Sequence, residues 1–248
     1  MKKKAIFTSS WDDGHVLDMK MADLLSQYHL TGTFYIPHHL QNKKRISNNE
    51  IINLSKNFEI GAHTYSHQVL SKTNLQNCIY EIQKGKSFLE NIIGKPITSF
   101  CFPEGKFKKH HIKIVNELGF KCIRTVELFN MNYPISHNGI YVMGTTLQVF
   151  PHNFISYSKN ILKRNNYRYI PIILSLYNKN WLQIAKHLFL ETLKNHGVFH
   201  IWGHSWEIKE IDYWNQLEDF FSFLSGYRED FIPYTNTEVC LHAFTRDN

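Results

Sequence analysis

Only four cysteines, Cys78, Cys101, Cys122 and Cys240, occur in the 248 residues, and none forms a CxxC pair. That scarcity excludes a disulfide framework and fits a reducing compartment. No apolar run reaches the roughly 18 residues of a membrane span, so none is expected. The N-terminus is basic over Met1-Lys2-Lys3-Lys4, yet Ala5-Ile6-Phe7 gives way at once to Thr, Ser and Ser. The apolar core of a signal peptide, roughly 7–15 residues, is therefore missing, and the expected address is the cytoplasm. No linker, repeat, low-complexity tract or long charge block interrupts the chain, which excludes a largely disordered protein. Residues 1–248 read as one domain.

What the chain does have is material for a core, with 43% hydrophobic and 15% aromatic residues. Its formal net charge is +7 with histidine neutral. A basic balance can signal nucleic acid or an anionic surface. Here the cations are scattered in short clusters such as Lys43-Lys44-Arg45, so a solvated basic surface is expected and no nucleic-acid partner. A phosphate-bearing sugar as substrate is the other reading of that charge.

Short apolar runs alternate with helical patterns, which indicates repeated β/α units on a parallel sheet. Strands are expected over residues 5–11, 33–37, 58–62, 97–102, 121–126 and 198–202, with one or two more within 140–150. Helical periodicity covers 16–28, 51–56, 75–93, 110–118, 153–164, 181–195 and 214–225. Asn48 and Asn49 offer an N-cap for the second helix, and Gly94-Lys95-Pro96 stops the third. The expected fold class is α/β, a distorted (β/α) barrel of about seven parallel strands, for which the length is suitable.

Four polar clusters fall at the C-terminal ends of these strands, where an α/β barrel gathers its βα loops and its chemistry. Trp11-Asp12-Asp13-Gly14-His15 follows the first strand. Taken alone, Asp-Asp-Gly is an ordinary turn. His63 and His67, within Glu59–His67, are four residues apart and can share a metal if a helical turn joins them. One carboxylate plus two imidazoles leaves a position open for water, as a catalytic divalent site requires. Phe102-Pro103-Glu104-Gly105 reads equally as a proline–glycine turn. In the last strand, alternation puts His200, Trp202 and His204 on one side. One of those two histidines is expected to be structural, and His204, past Gly203 at the mouth, is preferred as the chemical one.

Together these residues resemble the polysaccharide deacetylases, the NodB-type carbohydrate esterases. Trp11-Asp12-Asp13-Gly14 is similar to the family's aromatic-Asp-Asp-Gly motif, and Glu59–His67 to its E-[IL]-G-x-H-[ST]-x-x-H motif. Phe102-Pro103-Glu104-Gly105 is similar to a third motif whose fuller form carries an arginine and ends Pro-Tyr-Gly, and the strand bearing His204 to the fifth. The resemblance implies an N-deacetylase using one divalent ion, zinc by default, on a carbohydrate substrate such as an amino sugar, oligosaccharide or activated precursor. It implies Asp12 as general base, Asp13, His63 and His67 as metal ligands, and His204 as general acid. Pro103, Glu104 and Trp202 would border the substrate, with the Glu104 amide helping to hold the oxyanion.

Three departures accompany the resemblance. Cys101 stands where the third motif's arginine belongs, and Arg124 on the next strand is the expected replacement. Glu104 replaces the motif's tyrosine. No clear fourth motif supplies an acid partner for the catalytic histidine, leaving Glu207 and Asp212 as candidates. Deformylation of an amino sugar, opening of a cyclic amide, and a silent carbohydrate-binding barrel remain the competing readings.

Overall fold

The computed structural model describes residues 3–247 apart from 41–42, 153–154, 156, 159–169 and 176–179. The helix expected over 153–164 lies almost wholly outside the described residues. Seven parallel strands run in the order β7 (Ile140–Met143), β5 (Cys122–Arg124), β4 (Ser99–Cys101), β3 (Glu59–Ala62), β2 (Thr33–Ile36), β1 (Ala5–Asp12) and β9 (Val198–Gly203). Three short strands extend this set: β8 (Leu147–Gln148) on β9, β10 (Phe231–Pro233) on the start of β1, and the antiparallel β6 (Ile135–His137) on β7.

The sheet curls because the chain ties its two ends together. β7 pairs with β5 at one end and β8 with β9 at the other, yet only residues 144–146 separate β7 from β8. Such a link spans at most about 14 Å, at roughly 3.5 Å per residue, so the ends must face each other. The result is the distorted α/β barrel expected from the sequence.

Alternation along β1 divides the two sides of the sheet. Phe7 and Trp11 join the main hydrophobic cluster with Phe34, Phe100, Phe199 and Phe220. The intervening Thr8 and Ser10 make polar contacts within the barrel. Ser10 Oγ bonds His200 Nε2 at 2.9 Å, and Thr8 Oγ1 donates to Asn236 Oδ1 at 2.9 Å. Asn236 Nδ2 donates in turn to Tyr35 Oη at 2.9 Å, and Tyr35 Oη also bonds Ser99 Oγ. Asn236 opens the helix Asn236–Asp247, whose Val239, Cys240 and Ala243 pack on Ile6, Cys122 and Val198. All four cysteines are buried as free thiols.

Helices α1 (Asp18–Gln27), α2 (Asn48–Leu54), α3 (Leu75–Ile93) and α4 (Lys109–Glu117) follow β1 to β4. The cap of α2 differs from expectation. Ser47, not an asparagine, accepts from the Glu50 amide, while the Glu50 carboxylate takes the Ser47 amide. This reciprocal capping box satisfies two otherwise orphaned donors, which Asn48 at N1 cannot do. Among the described residues no helix is long and apolar enough to cross a membrane.

Candidate active site

The mouth of the barrel begins with a backbone turn. β1 delivers Asp12, then Asp13 and Gly14 both adopt positive φ, +81° and +63°. Asp13 is the costly member, since a residue with a Cβ rarely sits there, and such strain collects at functional sites. Gly14 is required twice over, because a Cβ would also lie 2.7 Å from Ile36 Cγ2. The reversal sends the two carboxylates in different directions: Asp12 to Arg124 and Asp13 to the histidines.

Asp13 Oδ1 lies 3.1 Å from His67 Nε2 and 3.8 Å from His63 Nε2. One ligand atom from each of the three residues falls within 4.8 Å of the others. His63 Nδ1 is 2.8 Å from the Cys101 carbonyl, which can only accept. The ring proton is thereby held on Nδ1, and the Nε2 lone pair faces Asp13. Asp13 Oδ1 is buried and lacks an aligned hydrogen bond. Burial acts to raise the Asp13 pKa, but the close approach of His67 and the neighbouring His204 outweigh it and hold the carboxyl well below its usual range. An ionised, buried and orphaned carboxylate oxygen together with two imidazole nitrogens fits a divalent ion.

The two histidines do not meet through a helical turn, contrary to the expectation from their spacing. Thr64 and His67 have φ of +61° and +57°, and the segment between them is an irregular loop. Helix α3 fixes that loop. The Glu81 carboxylate accepts from the amides of Tyr65 and Ser66 and from Ser66 Oγ, at 2.8–3.0 Å. Gly85 lets the helix approach, since a Cβ there would lie 2.7 Å from the Thr64 carbonyl group. Glu81 and Gly85 were not singled out in the sequence, because they lie on a helix remote from the motifs. Glu59, the first residue of the histidine motif, is not part of the mouth; it accepts hydrogen bonds from Thr33 and Thr237.

Arg124 donates from Nη2 to Asp12 Oδ1; the arginine is fully buried, and the aspartate nearly so at the cavity wall. Its guanidinium lies 5.0 Å from each of the Tyr35 and Trp202 ring centres. Register places Arg124 beside Cys101 on the adjoining strand, so the cation reaches the carboxylate from the neighbouring position. Cys101 is itself fully buried.

His200 and His204 lie in different surroundings. His200 is fully buried, its Nδ1 donating to the Gly144 carbonyl at 3.1 Å and its Nε2 facing Ser10 Oγ. Burial, reinforced by the Arg124 charge, lowers its pKa to about 3. His204 borders the cavity, with Nδ1 3.2 Å from Glu207 Oε2. Glu207 also accepts from Gln148 Nε2 at 3.0 Å, and Gln148 Oε1 lies 2.9 Å from His152 Nε2. Burial would lower the His204 pKa, but the Glu207 hydrogen bond and the charges of Asp13 and Asp12 carry it above its ordinary value. Of the two acidic candidates, Glu207 is the one in contact.

These groups surround one cavity of about 450 Å3, lined among others by Asp12, Asp13, His63, His67, Trp202 and His204. That volume falls within the usual range of small-molecule sites. Glu104 is also at the wall, with φ of +55°, and its carboxylate pairs with Lys106. Pro103, which precedes Glu104 in the same short turn, is buried and is not among the residues that line this cavity. Trp206 was missed in the sequence: its Nε1 donates to Asp13 Oδ2 at 2.9 Å.

The sequence profile described as polysaccharide deacetylase matches residues 1–123. No curated protein sequence matches the chain. Solved structures do match in fold. A protein from Mycobacterium smegmatis assigned to the polysaccharide deacetylases has a TM-score of 0.73 at 11% identity, covering 99% of this chain and 92% of its own. A mutant of the peptidoglycan deacetylase PdaC from Bacillus subtilis has a TM-score of 0.56 at 13% identity, covering 98% and 94%. The wild-type protein BA3943 from Bacillus anthracis, a CE4 family pseudoenzyme, has a TM-score of 0.57 at 12% identity, covering 97% and 66%. At such identities these likenesses establish the fold alone, and one neighbour is catalytically silent.

Proposed function

We propose that this chain, a polysaccharide deacetylase family member by the match of residues 1–123, is a metal-dependent hydrolase that removes an N-acetyl or related N-acyl group from an amino sugar. Residues 1–248 would form its one catalytic domain, and the substrate would be a glycan or a glycan precursor. The observation that carries this reading is the convergence on one cavity of Asp13, His63 and His67 with the Arg124-bound Asp12 and the Glu207-bound His204.

Asp13, His63 and His67 would hold the ion, with zinc the default for one oxygen and two nitrogen donors. When bound, a divalent ion polarises the acyl oxygen and acidifies water. Asp12 accepts the proton of the attacking water, and Arg124 holds that carboxylate in one orientation. His204, in its imidazolium form, gives a proton to the leaving nitrogen, so that an amine rather than an amide anion departs. Glu207 holds the His204 ring by Nδ1, which leaves Nε2 for the transfer. The Glu104 amide is the chain's own candidate donor to the oxyanion, and Trp202 gives the sugar an apolar wall.

The replacement of the motif's tyrosine by Glu104 keeps a formyl or cyclic-amide substrate in view, because a carboxylate at the wall changes what fits. The test uses chelator-stripped protein, reloaded with Zn2+, Co2+ or Mn2+ and offered N-acetylated and N-formylated amino sugars and short chito-oligosaccharides. Release of acetate or formate that depends on the metal supports the proposal. A folded, metal-loaded protein that binds these sugars without releasing either acid points instead to a silent barrel. Failure to bind any of the three metals removes the proposal.

A further inference from the structure

One turn of helix after β9 carries three consecutive side chains towards the site. Ser205 donates to Asp18, Trp206 donates to Asp13 Oδ2, and Glu207 accepts from His204 and Gln148. The first contact anchors the turn to α1, and the third belongs to the acid side of the cavity. The middle contact differs, because its acceptor is the carboxylate assigned to the metal.

A carboxylate on a single bond can offer either oxygen, or both, to an ion. Here the two oxygens have different surroundings. Oδ1 faces the two Nε2 atoms and lacks an aligned hydrogen bond, whereas Oδ2 takes the indole N–H at 2.9 Å. The indole is held in turn, with its ring 5.2 Å from that of His204 and the Lys43 ammonium over its face. Asp13 cannot turn away through its backbone without leaving the positive φ that Gly14 continues.

We propose that Trp206 is a positioning residue for the metal site. By occupying Oδ2, its N–H presents Oδ1 alone to the ion, together with His63 and His67. The proposal rests on the reading of those three residues as the metal ligands. It makes the same helical turn responsible for orienting both halves of the chemistry, the ligand through Trp206 and the acid through Glu207.

The test titrates Zn2+ into chelator-stripped wild-type, Trp206→Phe and Ser205→Ala proteins, with thermal melts of each metal-free form. Phenylalanine keeps an aromatic ring and drops the donor. Zinc affinity should fall about 10–100-fold in Trp206→Phe, the usual effect of losing a group that orients a ligand. The metal-free melting temperature should stay near that of wild type. Turnover should fall at limiting zinc and recover towards wild type at saturating zinc, with KM for the sugar unchanged. Ser205→Ala, which loses the Asp18 contact, should lower the melting temperature without that fall in zinc affinity. Wild-type zinc affinity in folded Trp206→Phe overturns the proposal and leaves the metal site standing. Absence of zinc binding by the wild-type chain overturns the underlying reading instead.

Should Trp206→Phe fail to fold, the indole resonances of the 15N-labelled native protein decide. The chain has five tryptophans, so substitution of the other four identifies the Trp206 signal. That signal should move on zinc addition and exchange slowly with solvent. A Trp206 resonance indifferent to zinc overturns the proposal.

Discussion

Arg124 and Asp12 form a buried ion pair across the barrel interior, and the arginine comes from the strand next to the one on which the family's motif would place it. Cys101 holds the motif position, and Arg124 is its register partner on β5. Removing one partner of such a pair leaves an uncompensated buried charge, at a cost of about 3–5 kcal/mol. Arg124→Met should therefore lower the denaturant midpoint strongly. The double variant with Asp12→Asn should lose less than the two single losses added, because neither polar group is then charged and alone. Additive losses in a double-mutant cycle would show that the two side chains do not depend on each other.

The acid side of the site makes a separate prediction. His204→Ala should cut turnover by about 10²–10⁴-fold, the usual worth of one positioned acid, with zinc affinity nearly unchanged. Its raised pKa keeps the imidazolium populated to higher pH, and the rate should fall as pH rises through that value. Glu207→Gln removes a cause of the rise, so the alkaline limb of kcat/KM should move to lower pH. An alkaline limb that stays in place in this variant would assign it to another group.

His200 should matter to stability and not to proton transfer. Its folded pKa of about 3 lies below the ordinary 6.5, so the native state refuses a proton that the unfolded chain accepts. The stability this contributes is complete above pH 6.5 and drains away as pH falls towards 3. The loss proceeds at about 1.4 kcal/mol per pH unit within that window. His200→Gln should flatten the acid side of the stability profile while costing stability near neutrality. Loss of turnover in a folded, zinc-loaded His200→Gln protein, with His204→Ala still active, would reverse the assignment of the two histidines.

Gly85→Ala tests whether α3 shapes the loop that carries His67. The added methyl meets the Thr64 carbonyl group at 2.7 Å, and backbone on both sides leaves little room to yield. Overpacking of this kind costs about 1–3 kcal/mol. A weaker zinc affinity should accompany the lower melting temperature, because the loop that must move carries His67. Unchanged zinc binding would show that the loop keeps its shape without the close approach.

Much of the site was legible in the sequence because its residues sit at strand ends within short motifs. Asp13, His63 and His67 converge as the motifs imply, and the Cys101 departure led directly to Arg124. The path between the histidines was not legible: a spacing of four suggests a helical turn, while the chain uses two left-handed residues supported by Glu81 from another element. Trp206 escaped for a related reason, since its partner Asp13 is 193 residues away and no local pattern marks the contact. The seven main parallel strands were foreseeable from apolar runs. β6 and β10, each three residues long, carry too little periodicity to be read.

The three residues between β7 and β8 make the barrel behave like a ring fastened by a clasp. Thr146 donates its amide to the His200 carbonyl at 2.8 Å and takes the His200 amide on Oγ1 at 3.0 Å, while the His200 ring holds the Gly144 carbonyl. The imidazole also grips Ser10 on β1, so a single side chain rivets the clasp to the staves on the far side of β9. Spreading the barrel at this seam would strip His200 of its partners inside a dry interior. The barrel is therefore closed at this seam through one residue, which joins the link between β7 and β8 to β9 and β1.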